Sequence, residues 1–322
     1  MKKRHLALLV ALLLSITVCL SGCGLVLTTP SFFQQEEVKA ELDLPIYNPG
    51  AVPYPKTEQT PPVINDGENN TFEVSETRPC YNLGSNKELS GRIVVLMAFV
   101  DDNTSTWTYQ EIASFVEYQA KPALLYLADQ AKNWNIELQF EIGVFATVIS
   151  GTEIKYEGSV GTGTDGSSMS KDVLEHTAKD LGFVTPDSML SMHRAQYSNV
   201  EIAYINVFNM PGRSYTCMQV TNPALEYTEH CVLFAQAYEG DPQLEETRAP
   251  TVAHEFLHLY GAEDFYTPDE RATLAAEVYP TDIMLIAATS LDEITFSDMT
   301  AHMIGWHETA PEICTKDGWQ AE

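Results

Sequence analysis

Residues 254–264 carry the side chains of this chain that are most able to do chemistry, in the order His-Glu-Phe-Leu-His-Leu-Tyr-Gly-Ala-Glu-Asp. On a helix, His254 and His258 lie one turn apart on the same face. Two imidazole nitrogens at that spacing can bind one Zn²⁺ at about 2.0–2.1 Å each. Glu255 follows the first histidine, where it can accept a proton from a zinc-bound water. The pattern predicts a zinc site able to hydrolyse a substrate.

The residues around this pattern also favour a buried helix. Pro250 suits a first helical turn, and the apolar side chains between it and Gly261 are Val252, Ala253, Phe256, Leu257 and Leu259. Two histidines and a glutamate on such an apolar helix need polar partners, because a buried polar group without one is costly. A metal ion supplies them.

The third ligand has more than one candidate. Gly261 can take a positive φ, which ends a helix and turns the chain, so Asp264 can swing back as an oxygen ligand. The alternatives are its neighbour Glu263, or Glu270 or Glu277 in a later segment, 269–278. Asp264 is preferred because it comes three residues after Gly261, where a turn can bring its carboxylate back towards the two histidines.

Beyond residue 88 the chain alternates between strand and helix patterns. Apolar runs predict strands over 92–100, 136–148, 200–208 and 231–237. Helical spacing predicts helices over 108–133, with a kink or break at Pro122, and over 170–181. The glycine-rich stretch 158–166 is a predicted loop. This order favours an α/β (α+β) fold with a mixed sheet packed on helices. Residues 214–221 are a candidate edge strand, to which an extended peptide can add.

The beginning of the chain has the features of an export signal. Lys2, Lys3 and Arg4 precede the apolar run Leu6–Leu20, which is too short to span a membrane comfortably. The run ends in Leu20-Ser21-Gly22-Cys23, which resembles the bacterial lipobox. That resemblance implies cleavage before Cys23, a lipid on its thiol, and display on the outer face of the bacterial cell membrane. The alternative is an ordinary secretory signal.

Composition divides the remainder of the chain. Residues 23–88 hold eight of the 17 prolines and several polar runs, as expected of a lipid-anchored tether, although the last 20 residues could belong to the domain. Residues 89–322 form the predicted zinc domain, with subdomains 89–261 and 262–322. The formal net charge of −27 argues against nucleic acid as a partner. Clustered carboxylates would also suit Ca²⁺, and nothing in the sequence implies an oligomer.

Four cysteines remain after the signal and the anchor. They are Cys80, Cys217, Cys231 and Cys314. An even number in an exported protein favours disulfides, and three pairings exist. The preferred pairing joins Cys217 to Cys231 across a short hairpin and Cys80 to Cys314 near the two ends of the domain.

Met284 follows Asp264 within the segment Tyr-Pro-Thr-Asp-Ile-Met. Together with His-Glu-x-x-His-x-x-Gly-x-x-Asp, this segment resembles the metzincin zinc peptidases, with their Met-turn. The aspartate is similar to that of snapalysin and of immune inhibitor A-type peptidases, as are Asp264-Phe265-Tyr266 and the stretch from Phe296 to Trp306. The specific resemblance covers residues 254–306. It departs from the commoner metzincin pattern in having Asp as the third ligand where His is commoner. It also lacks a Tyr two residues after Met284, where several metzincins carry one.

The resemblance implies a zincin-like catalytic domain, ending in a small helical subdomain after the Met-turn. His254, His258 and Asp264 become the zinc ligands, Glu255 the general base and then acid, and Met284 the residue beneath the metal. Tyr260 or Tyr266 could stabilise the oxyanion, Tyr266 being the candidate retained. Some metzincin propeptides block the metal with a thiol, a role open to Cys80 as an alternative to a disulfide.

The function expected from these features is a membrane-anchored extracellular zinc endopeptidase acting on a protein or peptide substrate. Two alternatives stay open. One is a zinc-binding surface lipoprotein without turnover, and the other is a zinc amidase acting on cell-wall material. Glu255 speaks against a purely structural zinc site, because such sites are usually closed by four protein ligands.

Overall fold

The computed structural model describes residues 75–158, 160, 172–198, 200–218, 228–236 and 247–319. The predicted signal, the anchor at Cys23 and most of the glycine-rich loop 158–166 lie outside these residues. Within them, no helix is long and apolar enough to cross a membrane.

A five-stranded mixed sheet forms the centre of the domain. Its strands are β1 (Gly91–Val100), β2 (Leu138–Ala146), β3 (Glu201–Pro211), β4 (Tyr215–Cys217) and β5 (His230–Gln236), in the spatial order β2-β1-β3-β5-β4. The pairs β1–β2, β1–β3 and β3–β5 are parallel, whereas β4 pairs with β5 in the antiparallel sense. The predicted mixed sheet is confirmed. Among the described residues the sheet ends in β4, which falls within the predicted edge strand 214–221, and residues 219–221 of that prediction lie outside the described residues.

Helices cover both faces of the sheet. They are α1 (Tyr109–Phe115), α2 (Lys121–Asn133), α3 (Thr147–Ser150), α4 (Val173–Asp180), α5 (Pro186–Gln196), α6 (Ala249–His258), α7 (Asp269–Val278) and α8 (Asp298–Met303). Alternate residues of β1 point to opposite faces, so Ile93 and Val95 join the core with α1, α2 and α6, while Val94 and Leu96 join the core with α4 and α5. Burial on both sides explains why β1 is apolar almost throughout.

The segment predicted as one helix with a kink or break at Pro122 is helical throughout, and its irregularity lies just before the proline. A π-helical segment, Val116–Ala120, joins α1 to α2, and Pro122 lies in the first turn of α2. A proline cannot donate the helical hydrogen bond to the carbonyl four residues earlier, and the wider π turn just before it accommodates this loss.

Residues 75–90, called the arm below, pack on the domain. Cys80, Leu83 and Asn86 are buried. Asn86 donates hydrogen bonds from its backbone to Glu229 and from its side chain to the carbonyl of Ile202. Residues at the end of the predicted tether are therefore in contact with the domain.

The predicted disulfides are wrong, because none of the four cysteines in the described residues forms a disulfide, and all four are buried. In the β4–β5 ladder, Cys231 is paired with Thr216 and Cys217 with His230. Neighbouring residues of a strand face opposite sides of a sheet, so Cys217 and Cys231 belong to different cores. A short hairpin-like spacing in the sequence could not reveal this difference in direction.

The other predicted pair fails because each thiol has a different neighbour. The Sγ atom of Cys80 lies 3.2 Å from Oε1 of Glu263, and that of Cys314 lies 3.4 Å from Sδ of Met299. Each of these two thiols therefore contacts a residue other than the predicted partner cysteine.

We expect reductant to leave the thermal midpoint of unfolding unchanged. A disulfide typically contributes about 2–4 kcal/mol, and its reduction would lower that midpoint. Alkylation under denaturing conditions without reductant should label Cys80, Cys217, Cys231 and Cys314, as read by mass spectrometry of peptides. A pair of cysteine peptides labelled only after reduction would reveal a disulfide and contradict the structure.

Candidate metal centre

Helix α6 places the histidine pair beside the sheet. Pro250 lies in its first turn, and Phe256 and Leu257 are fully buried in the core. Gly261 then takes a φ of +97°, and a Cβ on it would lie 2.8 Å from the backbone of Tyr81 in the arm. Both the turn and the close approach require glycine at this position.

The turn at Gly261 returns Asp264 to the histidines. The Nε2 atoms of His254 and His258 lie 3.2 Å from each other. Oδ1 of Asp264 lies 3.2 Å from the first and 3.3 Å from the second. Among the described residues, this is the only group of three or more His, Cys, Asp or Glu side chains close enough to share a metal ion.

These distances fit a zinc ion. Ligands at about 2.0–2.1 Å in a tetrahedral site are separated by about 3.3–3.4 Å, and the three observed separations are close to that value. The side chains of His254, His258 and Asp264 are 15%, 10% and 23% exposed, so the triangle is not sealed from solvent. The arrangement can offer three ligands and leave a fourth position accessible, as hydrolytic zinc sites require.

Hydrogen bonds fix the orientation of both imidazole rings. Nδ1 of His254 lies 2.8 Å from the carbonyl oxygen of Ile283, and Nδ1 of His258 lies 2.6 Å from that of Ala262. A carbonyl accepts only, so each Nδ1 carries a proton, and the neutral form of each ring would present its Nε2 lone pair to the centre. Lone pairs that face each other together with a buried Oδ1 of Asp264 repel unless a cation lies between them.

The charges at the site lead to the same conclusion. Burial lowers the pKa of His258, but the hydrogen bond and charge of Asp264, with the charge of Glu255, outweigh it and raise the pKa to about 9. Burial acts to raise the pKa of Asp264, yet its contacts with both histidines hold that pKa well below its usual range. The cluster therefore attracts positive charge, either a proton or a metal ion.

The segment containing Met284 is hydrogen-bonded to residues of the cluster and next to it. The carbonyl of Met284 accepts a hydrogen bond from the backbone of Phe265 at 2.9 Å, one residue after Asp264. Met284 is fully buried, and its neighbour Ile283 orients His254, as described above. One short turn thus supports two of the three candidate ligands.

Asp282 holds this turn in place and was missed as a functional residue. It is fully buried and accepts hydrogen bonds from the backbone of Met284 at 2.7 Å and of Ser297 at 2.9 Å, and from the hydroxyl of Thr300 at 2.8 Å. Burial raises the pKa of this carboxyl, and these donors oppose the shift. An acidic residue directly before an apolar Ile-Met pair was the available sequence signal.

Glu255 is held by the edge strand. It is 6% exposed, and the hydroxyl of Thr216 lies 2.9 Å from its Oε2 and 2.8 Å from its backbone oxygen. The Sγ atom of Cys231 in β5 lies 3.3 Å from the same backbone oxygen. Thr216 was missed as a site residue, since its contact with Glu255 spans 39 residues of sequence.

The competing third ligands lie elsewhere. Glu270 and Glu277 are exposed on α7. The carboxylate of Glu263 accepts from Arg271 at 2.6 Å and from Cys80 at 3.2 Å. The structure therefore brings Asp264 to the histidines and none of these three residues. Cys80 likewise contacts Glu263 and is absent from the metal-binding group, so its alternative role as a metal-blocking thiol gains no support.

The two candidate oxyanion tyrosines differ in position. Tyr260 is fully buried, and its hydroxyl accepts from Asn86 at 3.5 Å. Tyr266 is 50% exposed, and its ring stacks on His254 at 6.3 Å between centroids. Burial, with the charge and hydrogen bond of Asp264, raises the pKa of Tyr266, which keeps its proton. Tyr266 is therefore the tyrosine able to donate a hydrogen bond at the site.

Five other histidines occur in the described residues, and all five lie outside the candidate metal-binding group. They are His176, His193, His230, His302 and His307. Burial lowers the pKa of both His193 and His230 to about 4, so each is a neutral core residue at pH 7. His302 bonds to Thr77 of the arm and to the carbonyl of His307.

Comparison of the chain with protein-family models gives no matching family, and comparison with curated proteins gives no matching relative. The function proposed next is inferred from the residues of the site and their geometry.

Proposed function

We propose that this chain is an exported, lipid-anchored zinc endopeptidase with a zincin-like catalytic domain of the metzincin type. The observation that carries the proposal is the triangle formed by His254, His258 and Asp264, with Glu255 on the same helix. The distances between its ligand atoms suit zinc, and its three protein ligands would leave a fourth coordination position for water or substrate. The anchor at Cys23 and the position outside the cell membrane are carried by the sequence alone.

The surroundings of α6 support the zincin-like assignment. A mixed sheet ends in the antiparallel strand β4 next to that helix, and Thr216 links the two. The buried turn at Met284 braces the ligands, as the Met-turn of the resembling family would. An edge strand beside the reacting groups also favours an extended peptide as substrate, since such a peptide can add to a sheet edge.

A Zn²⁺ bound by His254, His258 and Asp264 would supply the Lewis acidity that acidifies water and polarises a carbonyl. Glu255 accepts the proton of the attacking water and passes it to the leaving amine, so that the peptide bond breaks to an acid and an amine. The hydrogen bond from Thr216 fixes the orientation of the Glu255 carboxylate for this proton transfer. Tyr266 donates a hydrogen bond to the substrate oxygen as negative charge develops on it.

The direct test measures zinc and peptide hydrolysis in one preparation. The full chain should contain one zinc per molecule by elemental analysis and should cleave internal bonds of a peptide library. A chelator should stop the cleavage, and added Zn²⁺ should restore it. Zinc without cleavage of any peptide would overturn the endopeptidase, and a parallel digest of cell-wall material would then separate an amidase from a non-catalytic zinc lipoprotein.

The contact between Thr216 and Glu255 leads to a separate prediction. We expect Thr216→Val to lower kcat/KM by about tenfold, or ~1.4 kcal/mol, because a buried carboxylate loses one hydrogen bond. Zinc content should not change. Thr228→Val is the matched control, since the hydroxyl of Thr228 donates to the carboxylate of Asp187 at 2.8 Å and neither residue belongs to the candidate metal-binding group. Equal losses in both variants would indicate a general effect on folding.

A further inference from the structure

We propose that Glu263 and Arg271, closed by the thiol of Cys80, act as a clamp that positions Asp264 for metal binding. This inference rests on the proposed zinc site and adds positioning residues to it. The three residues come from separate parts of the chain: the arm, the loop before α7, and α7 itself.

The clamp begins with a buried guanidinium. Arg271 is 5% exposed, and its Nη1 lies 2.6 Å from Oε2 of Glu263 and 3.4 Å from the carbonyl oxygen of Asp264. Its Nε donates to the carbonyl of Trp319 at 3.2 Å, and its guanidinium lies 5.5 Å from the centroid of the Trp319 ring. One side chain therefore contacts both the residue before the candidate ligand and the backbone of the ligand itself.

Glu263 is fixed from two further directions. Its Oε1 accepts from the thiol of Cys80 at 3.2 Å, and its backbone N–H points to Sδ of Met303 at 3.4 Å. Burial, followed by the nearby charge of Glu263, raises the pKa of Cys80. The thiol consequently keeps the proton that it donates.

The place of the clamp explains why positioning is needed. Residues 262–264 lie outside the helices and strands, and Ala262 is tied to α6 by a hydrogen bond from its backbone N–H to the carbonyl of Leu257, so the direction of Asp264 depends on its neighbours. On one side, the backbone of Phe265 is bonded to Met284. On the other side, the clamp holds Glu263. Asp264 is therefore supported at both adjacent residues.

Stability alone does not account for this arrangement. A buried ion pair often contributes little to stability, because desolvation of both charges offsets their attraction. In the pair of Arg271 and Glu263, the guanidinium is buried and the carboxylate half-buried, and the pair adjoins the only candidate metal-binding group of the described residues. An apolar pair of the same volume could fill the space but could not hold Glu263 and the backbone of Asp264 through hydrogen bonds, which is the role proposed for Arg271.

The test compares zinc affinity with stability in variants of the full chain. Glu263→Gln and Arg271→Gln should weaken zinc binding by roughly tenfold or more, as measured by competition with a coloured chelator, because partners outside the ligand shell are commonly worth about 10–100-fold. Cobalt(II) substituted for zinc should show an altered visible spectrum. The matched control is Arg194→Gln, since Arg194 also pairs with a carboxylate, Glu201, and bonds a carbonyl of the arm, at Ser85.

The outcomes separate this inference from the proposed function. Unchanged zinc affinity and an unchanged cobalt spectrum in the folded variants would overturn the clamp alone. If the unmodified chain bound no zinc, the proposed function would fail and the clamp with it. Should Arg271→Gln not fold, Cys80→Ala supplies the milder test, with Cys80→Ser expected to restore the donor and the affinity.

Discussion

Replacing Glu255 by glutamine is expected to abolish most hydrolysis while leaving zinc binding intact. Glutamine keeps the size of the side chain and an oxygen that can accept from Thr216, but it cannot take a proton from water. General acid–base groups contribute about 10²–10⁴-fold, so kcat/KM should fall within that range. Steady-state cleavage of a fluorogenic peptide measures the loss, and elemental analysis measures the zinc.

The control for this variant is Glu277→Gln, which makes the same change on the exposed side of α7. Its kcat/KM should equal that of the unmodified chain. If Glu255→Gln retained full activity, Glu255 would not be the base. If Glu255→Gln lost zinc together with activity, Glu255 would be needed for the structure of the zinc site and not only as the base. Its contact with Thr216 would then be the first contact to examine.

The local features of the site could be predicted from sequence because they depend on neighbouring residues. Helical spacing places His254 and His258 on one face, and a glycine is required where the backbone takes a positive φ. Gly261 does so at +97°, and the same turn brings Asp264 into reach of both histidines. The strands were equally accessible, since burial on both faces of a parallel strand leaves an almost continuous apolar run.

The contacts that orient the site could not be predicted in the same way. His254 is oriented by the carbonyl of Ile283, and Glu255 by the hydroxyl of Thr216, across 29 and 39 residues of sequence. A backbone carbonyl carries no mark in the sequence, and a threonine in a short edge strand looks like any other. Such contacts depend on strand order, which places β4 beside β5 and α6 behind both.

The cysteines show how a correct compositional rule can fail. Even numbers of cysteines in exported proteins favour disulfides, yet pairing needs two sulfur atoms on the same side of the backbone. Cys217 and Cys231 are in adjacent strands but face different cores. Each thiol instead packs in the interior, as cysteines outside disulfides commonly do. A shift of one residue in the ladder register would have reversed this outcome.

Loss of Asp264 is expected to remove most of the zinc affinity. Asp264→Ala leaves two imidazoles and no anionic ligand, so the dissociation constant should rise by more than about 100-fold, beyond the 10–100-fold typical of partners outside the ligand shell. Hydrolysis at limiting zinc should be lost with it. Competition with a coloured chelator measures the affinity, and unfolding of the metal-free protein shows whether the fold survives.

The matched controls are Glu270→Ala and Glu277→Ala, because these residues are the alternative ligands on α7. Both are exposed, so their loss should leave the affinity unchanged. Normal zinc binding by Asp264→Ala together with weak binding by either control would move the third ligand to α7. That result would require α7 to approach the histidines, and the buried contacts of Arg271 with Glu263 and Trp319 hold the helix in a different place. The Asp264 variant therefore tests the ligand assignment and the position of α7 together.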